Sequence, residues 1–257
     1  MTPEERYLFD LQGYLVVPNA LSADQLRVLN AIMDERIAAE VDPESTQHRF
    51  FGTGSLLGWG KPYRDLLDNP RILPHVMELV GPNPRFDHDY ADIIRTGHSP
   101  IGATLHGGGA PYDESCYYTH RDGRIRCGLM VVAYNLHDVH PGDGGFGAVP
   151  GSHKANYPFP QQWKGLDHRN PCVTPVTGPA GTAILFSEAM THGALPWHGK
   201  QERRTLFYKY SPAAISWSAN YYDASKYPDL TERQRAMLEA PNARYGHRPK
   251  PGEATLL

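Results

Sequence analysis

Two histidines and one arginine, spread along the chain, are residues whose types could do chemistry together. His106 opens the run His-Gly-Gly, His192 lies far downstream, and Arg203 follows it by eleven residues. A neutral imidazole is a suitable ligand for divalent transition metals such as Fe(II). A planar guanidinium grips a carboxylate through two parallel hydrogen bonds, which the compact ammonium group of lysine cannot do. These residue types are typical of a metal site beside an anion-binding site.

The elements that must position these residues change in character along the chain. Ser22 with Gln25 is a capping-box signature before apolar residues at helical spacing, and Pro74–Val80 and a segment from Thr231 predict two further helices. From residue 85 onward, short apolar or alternating runs separated by turn residues predict strands instead. The predicted strands are Asp89–Ile94, Ile101–Leu105, Gly128–Leu136, Gly145–Val149, Thr182–Phe186 and Arg203–Tyr210.

Three segments carry a resemblance to a known family. Residues 9–26 (FDLQGYLVVPNALSADQL), 144–154 (GGFGAVPGSHK) and 186–210 (FSEAMTHGALPWHGKQERRTLFYKY) resemble, in this order, the phytanoyl-CoA dioxygenase-like Fe(II)/2-oxoglutarate oxygenases. The resemblance implies a mainly β fold, the double-stranded β-helix (jelly roll, cupin-like), with flanking α-helices. We expect a single domain, 1–257, with a helical N-terminal part at 1–84, the β-helix core at 85–215 and a helical extension at 216–257.

The resemblance also implies roles for individual residues. His106 and His192 match the two metal histidines, and Arg203 matches the arginine that binds the far carboxylate of 2-oxoglutarate. Arg204 should point to the other face of the same strand, because side chains alternate. The family's third ligand is the carboxylate of His-x-Asp or His-x-Glu, but Gly108 stands at that position and has no donor atom. In relatives of this kind chloride fills the vacant position, and the enzyme halogenates instead of hydroxylating.

Two alternatives to this metal site stay open. His120 and Asp122 form an intact His-x-Asp motif, although Asp122-Gly123 is also a type I′ hairpin signal between two extended runs. Gly108 could also belong to a flexible glycine loop that needs unusual backbone angles. In that case water fills the gap or a carboxylate folds back as the third ligand. The candidate carboxylates are Asp113, Glu114 and Asp122.

The function implied by the resemblance is an Fe(II)/2-oxoglutarate-dependent halogenase that uses O₂ and chloride on an unactivated C–H bond. The expected substrate is a small polar metabolite of natural-product (antibiotic) biosynthesis, with a nucleotide such as 2′-deoxyadenosine monophosphate as the leading candidate. Basic residues that would suit its phosphate are Arg121, Arg124, Arg126 and Lys154. Aromatic residues that could stack on its base are Tyr117, Tyr118, Trp163 and Trp217. The alternatives are a hydroxylase of the same fold and a non-catalytic binding module.

Composition argues against other classes of partner. A formal net charge of -3 provides no overall basic field for a nucleic acid polymer or a membrane surface. The first residues have no apolar run behind a basic start, and no apolar stretch is long enough to span a bilayer. The cysteines are odd in number and lack metal-site spacing, so we interpret them as reduced thiols of a cytoplasmic protein. They are Cys116, Cys127 and Cys172.

Overall fold

A computed structural model describes residues 1–52, 56–96, 101–166 and 170–241. Its helices are α1 (Pro3–Gln12), α2 (Ala23–Glu40), α3 (Lys61–Arg64), α4 (Leu73–Val80) and α5 (Glu232–Met237). Its strands are β1 (Tyr14–Val17), β2 (Gln47–Phe51), β3 (Pro84–Ile94), β4 (Tyr118–Arg121), β5 (Arg124–Cys127), β6 (Met130–Asn135), β7 (Gly145–Ala148), β8 (Thr174–Pro175), β9 (Ala183–Ser187), β10 (His192–Leu195) and β11 (Arg203–Pro212). None of the helices within these ranges is long and apolar enough to cross a bilayer.

The strands form two larger sheets and one separate hairpin. The six-stranded sheet has the order β1-β9-β6-β11-β3-β2, and the three-stranded sheet has the order β10-β7-β8. Strands β4 and β5 form the hairpin, and all the pairings in the three sheets are antiparallel. Apart from β2 and β3, strands that are neighbours in the large sheet are not consecutive in the chain, so most of the sheet is built by crossovers rather than by simple hairpins. The prediction of a mainly β protein is confirmed.

The large sheet buries both of its faces, and β11 shows how. Leu206 and Tyr208 point toward the helices, where they join a core that includes Leu29 and Met33 of α2. Phe207 points to the opposite face and joins a second core that also contains side chains of β6, β7 and β9. Because alternate residues of a strand lie on opposite faces, Arg203, Phe207 and Lys209 share the side that faces the small sheet. That side contains the candidate site.

Most predicted elements are present, but one next to the candidate site is not. The capping box at Ser22 begins α2, and a second capping box, at Thr231, begins α5. The prediction of a strand at Ile101–Leu105 is wrong: this segment makes one isolated bridge, at Thr104, and no ladder. The reason is that glycines with positive φ interrupt the extended backbone on both sides, at Gly102 (φ 81°) and Gly107 (φ 76°).

Candidate functional site

Two histidines lie side by side at the edge of the small sheet. His192 begins β10, and its backbone N–H donates to the carbonyl of His106 at 2.9 Å, while the His106 N–H donates back at 3.0 Å. The two imidazole ring centroids are 4.3 Å apart. A single antiparallel bridge therefore joins residues that are far apart in the chain and brings both rings to one place.

Both imidazoles are held through Nδ1, which leaves Nε2 available as a ligand. Nδ1 of His106 lies 2.9 Å from the Thr104 carbonyl, and Nδ1 of His192 lies 2.7 Å from the Met190 carbonyl. Since a carbonyl only accepts, each Nδ1 must carry a proton, and in the neutral ring Nε2 is then the nitrogen with the lone pair. Burial lowers the pKa of His192 to about 4, so this imidazole is neutral, as a metal ligand has to be.

A carboxylate that the sequence analysis did not single out completes this group. Glu188 directly follows β9, and its Oε2 is 3.9 Å from Nε2 of His192. Among the described residues, one potential ligand atom from each of Glu188, His106 and His192 falls within 4.8 Å of the others. The signal in the sequence is a Glu four residues before the metal-type histidine, but the search for a carboxylate followed the His-x-Asp pattern and passed over it.

Lys209 on β11 holds the Glu188 carboxylate in place. Its Nζ is 2.7 Å from Oε1, and the two side chains are only 10% and 11% exposed. Burial raises the pKa of Glu188, but the Lys209 ammonium and the neighbouring His192 outweigh burial and hold the pKa at about 2. The carboxylate is therefore ionised, and its second oxygen faces the histidines.

Arg203 lies in the same cavity, a space of about 90 Å³ that His106 and His192 also line. It is 3% exposed, and its Nε is buried without a hydrogen-bond partner. Burial lowers the pKa of this guanidinium, and the nearby Asp92 opposes that shift. A buried guanidinium donor without an acceptor is costly, so the cavity favours an anion with free oxygens.

Arg204 shows the alternation predicted for this strand. It points away from the cavity and bonds Glu202 at 2.6 Å and Asp34 of α2 at 2.7 Å. A second arginine, Arg49 of β2, does line the cavity, but it is held by both carboxylate oxygens of Asp92, at 2.6 and 2.7 Å. Of the two arginines that line this cavity, Arg203 is therefore the one with a buried donor that has no hydrogen-bond partner.

The glycines after His106 fit tightly against the backbone that carries the other ligands. A Cβ on Gly107 would lie 2.5 Å from the Met190 carbonyl oxygen and 2.6 Å from that of Glu188. A Cβ on Gly108, where φ is +127°, would lie 3.0 Å from Oγ1 of Thr191. Close approach and positive φ therefore explain glycine at both positions without reference to a halide.

The alternative metal ligands lie elsewhere. Asp122 (φ 53°) and Gly123 (φ 70°) form the tight turn between β4 and β5, and the Asp122 side chain is 89% exposed. His120 is on the same hairpin and lines a separate groove, with residues of α1 and α4 on its other side. Asp113 accepts hydrogen bonds from Ser115 and Cys116 of its own loop. The structure therefore places these residues outside the histidine cluster.

The residues expected to bind a nucleotide are also scattered. Arg124 and Arg126 line the groove of the β4–β5 hairpin, and Lys154 pairs with Asp10 of α1 at 3.1 Å. Tyr118 donates its hydroxyl hydrogen to the same Asp10. Trp217 stacks on His88 with ring centroids 4.9 Å apart and lies 5.9 Å from the Lys209 ammonium. None of these residues lines the cavity of His106, His192 and Arg203, whose aromatic lining is Tyr90, Phe146, Phe186 and Phe207.

The donors present fit both an iron ion and 2-oxoglutarate. Two imidazole nitrogens and one carboxylate oxygen are the donor set that non-haem Fe(II) oxygenases use, with positions left open. Donors about 2.1 Å from one metal ion are roughly 3 Å apart, so the present set, whose atoms lie within 4.8 Å of one another, would have to contract by about 1–2 Å on binding. The orphaned Nε of Arg203 fits a carboxylate at the opposite end of the cavity. The groups that fit iron and 2-oxoglutarate are therefore all side chains of this chain.

Sheet order, paired histidines and a buried cavity arginine define the class of jelly-roll oxygenases that use Fe(II) and 2-oxoglutarate. The model of the phytanoyl-CoA dioxygenase (PhyH) family matches residues 9–205, so the chain belongs to this family. The predicted double-stranded β-helix is thereby confirmed, and structures of the similar protein HygX contain iron in one case and nickel with 2-oxoglutarate in another. No curated protein matches the chain at a significant level.

Solved structures of two proteins resemble this chain. HygX from Streptomyces hygroscopicus, with nickel and 2-oxoglutarate bound, has 26% identity and a TM-score of 0.75 over 84% of this chain and 89% of its own. The same protein with hygromycin B also bound has 26% identity and a TM-score of 0.71 over the same shares. The epimerase SnoN, in complex with Fe³⁺, α-ketoglutarate and nogalamycin RO, has 20% identity and a TM-score of 0.57 over 82% and 83% of the two chains. The likeness to SnoN shows the fold alone.

Proposed function

We propose that this protein is an Fe(II)/2-oxoglutarate-dependent oxygenase that oxidises a C–H bond of a hydroxyl-rich small molecule. His106 and His192 hold the iron, and Arg203 binds the far carboxylate of 2-oxoglutarate. The observation that carries this proposal is the convergence of two Nε2-presenting imidazoles and one unpaired buried guanidinium in a single cavity. Bound iron, 2-oxoglutarate and O₂ supply the oxidising chemistry, and 2-oxoglutarate leaves as succinate and CO₂.

The chain itself contributes position and electrostatics. The backbone bridge between His106 and His192 fixes the two rings, and the carbonyls of Thr104 and Met190 fix which nitrogen faces the iron. The buried guanidinium of Arg203 would orient 2-oxoglutarate, because a guanidinium binds a carboxylate in one preferred geometry. Phe186 and Phe207 contribute apolar rings to the lining of the same cavity.

We infer the substrate class from a similar solved structure that carries a substrate-like molecule. HygX binds hygromycin B, and the present chain has 26% identity to it over most of both chains. We therefore place hygromycin B or a related small molecule ahead of a nucleotide. The geometry supports this order, since Arg124 and Arg126 line another groove and Lys154 is already paired with Asp10. A nucleotide monophosphate remains the second substrate class for the test.

Halogenation is the second candidate reaction. One specific observation favours it: Gly108 offers no ligand atom at the position where the family's motif carries a carboxylate. A chloride ion bound to iron at that position would then be transferred to the substrate carbon in place of a hydroxyl group. Oxygenation is the first candidate, because Glu188 brings a carboxylate of this chain to the same histidines.

The test measures succinate and product together. Purified protein receives Fe(II), 2-oxoglutarate and O₂ with hygromycin B or 2′-deoxyadenosine monophosphate, at low and high chloride or bromide. We expect substrate-stimulated succinate and a product changed by oxygen or by loss of hydrogen at every halide concentration. A halide-dependent mass shift would support halogenation instead. If the wild-type protein forms no more succinate than the His192→Ala control with any substrate, a non-catalytic binding module is favoured.

A further inference from the structure

The family's motif carries its carboxylate ligand two residues after the first histidine, where this chain has Gly108. A new side chain at Gly108 would start 3.0 Å from Oγ1 of Thr191, on backbone of positive φ. We propose that Glu188 is the third iron ligand, so that the β9–β10 connection supplies the carboxylate and the first residue of β10, His192, supplies a histidine. This inference rests on the proposed function and identifies the ligand that completes the site.

Position is the first argument for Glu188. It precedes His192 by four residues, and its Oε2 is already 3.9 Å from Nε2 of that histidine. All three potential ligand atoms lie within 4.8 Å of one another. The contraction needed is small and falls on side chains, since the backbone of His106 and His192 is fixed by two hydrogen bonds.

The second argument is that Glu188 is prepared as a ligand in the same way as the histidines. Protein ligands of a metal usually have their other polar atom bonded to a further group, which orients them. Nδ1 of each histidine bonds to a carbonyl, and Oε1 of Glu188 bonds to Lys209 Nζ at 2.7 Å. In each case one atom is held by the protein and the other faces the common centre. Lys209 is therefore a positioning residue for Glu188.

The third argument is that the competing carboxylates are engaged. Asp92, which lines the same cavity, accepts both hydrogen bonds from Arg49. Asp113 accepts hydrogen bonds within its own loop, and Asp122 forms the exposed hairpin turn. Among the described residues, Glu188 is the carboxylate that joins the two histidines in a potential metal group.

A consequence for the reaction follows from counting ligands. With Glu188 as the third protein ligand, the positions left on a six-coordinate ion would be those that 2-oxoglutarate and O₂ need. A chloride ion then has no place in the coordination sphere, although Gly108 has no donor atom. The chain should oxygenate its substrate and ignore halide, and removal of the Glu188 carboxylate should open a position that small anions can fill.

The experiment uses Co(II) as a spectroscopic substitute for Fe(II) in the full chain. Co(II) affinity and the visible absorption of the Co(II)–2-oxoglutarate complex are measured for the wild-type protein, E188Q, E188A, H192A and E114Q. E188Q keeps an oxygen for Lys209, and Glu114 is an exposed acid that serves as the matched control. We expect E188Q to weaken Co(II) binding by at least about 100-fold, which is beyond the 10–100-fold loss from outer partners. We expect E114Q to bind like the wild type, and acetate to restore binding to E188A.

Chloride titration provides a second readout, in which the response of the wild-type complex is compared with that of E188A. We expect no change in its absorption at millimolar chloride and a saturable change in E188A. Co(II) affinity of E188Q within about threefold of the wild type, or a chloride response of the wild-type complex, would overturn the assignment of Glu188. If H192A loses Co(II) binding but E188Q does not, the assignment of Glu188 is wrong and the proposed iron site stands. If both H192A and E188Q keep Co(II) binding, the proposed iron site itself is wrong.

Discussion

Gly107 lies directly against the carbonyl of Met190. A Cβ built on Gly107 would be 2.5 Å from that oxygen, and the same oxygen accepts the Nδ1 hydrogen bond of His192 at 2.7 Å. The Met190 carbonyl therefore packs against the segment that follows His106, and it also fixes the tautomer of His192. Any side chain at position 107 must disturb both.

Gly107→Ala should consequently damage stability and metal binding together. The residue has φ +76°, and the added methyl group meets two backbone carbonyls that cannot rotate away. We expect a loss of about 2 kcal/mol or more in the free energy of unfolding, measured by urea denaturation, and a weaker Co(II) complex.

The matched control is Gly58→Ala. A Cβ at Gly58 meets nothing within 4 Å and its φ is not in the left-handed region, so alanine should be neutral or slightly stabilising there. Wild-type Co(II) affinity in Gly107→Ala would show that the Met190 carbonyl does not position His192.

The elements of the fold were predictable where a local signal exists. The capping boxes at Ser22 and Thr231 mark the starts of α2 and α5, and alternating apolar runs mark β6 and β11. The pairing of His106 with His192 has no local signal, because it is made by the fold and not by any spacing along the chain. The resemblance to the family supplied it instead.

The carboxylate shows the limit of motif reasoning. The pattern His-x-Asp directs attention to Gly108 and to Asp122, which forms a hairpin turn in the structure. Glu188 lies beside the histidines because β9 ends at Ser187 and β10 begins at His192, so the short connection has to pass the same point. The place of Lys209 follows from alternation with Arg203 on β11, but its contact with Glu188 is a tertiary contact that only the structure reveals.

Arg203→Ala should weaken 2-oxoglutarate binding specifically. Loss of one partner from a buried, hydrogen-bonded charge pair costs about 2 kcal/mol or more, which corresponds to at least about 30-fold in Kd. Calorimetric titration of the Co(II) protein with 2-oxoglutarate measures this change in Kd. The amount of succinate formed by the Fe(II) protein measures how well 2-oxoglutarate is used as co-substrate.

Arg204→Lys is the control for Arg203→Ala, since Arg204 bonds Asp34 and Glu202 on the opposite face of β11. It should lower the free energy of unfolding without changing the Kd of 2-oxoglutarate. If the two variants affect that Kd equally, Arg203 has no special role in binding the co-substrate.

Gly108→Asp tests the vacant-position hypothesis. A carboxylate placed here should not restore a family-type ligand, because φ is +127° and the Cβ would already meet Thr191. We expect a stability loss of about 1–3 kcal/mol and an unchanged class of product, detected by mass spectrometry. Gly108→Ala adds the same strain without a carboxylate and separates the two effects. A chlorinated product in the wild type that Gly108→Asp abolishes would make position 108 the halide site.

His153 should give the metal-free protein a distinct dependence of stability on pH. It is 2% exposed, its Nε2 lies 3.0 Å from the Asp10 carbonyl, and its Nδ1 has no partner. Burial lowers the pKa of His153 to about 4, against about 6.5 in an unfolded chain. As pH falls from about 6.5 to 4 the unfolded chain therefore binds a proton that the folded chain does not. The free energy of unfolding should fall in this window, by up to about 3 kcal/mol from this residue.

His153→Gln removes that titration and retains an amide donor for the Asp10 carbonyl. Urea denaturation in the presence of a chelator, repeated from pH 7 to pH 4, should show a shallower decline in the variant than in the wild type. Some decline should persist, because burial also lowers the pKa of His192 to about 4, and this second histidine shifts stability with the same sign. Parallel curves for the two proteins would mean that His153 is protonated as readily in the folded chain as in the unfolded one. Its contact with the Asp10 carbonyl would then have to be open to water in solution.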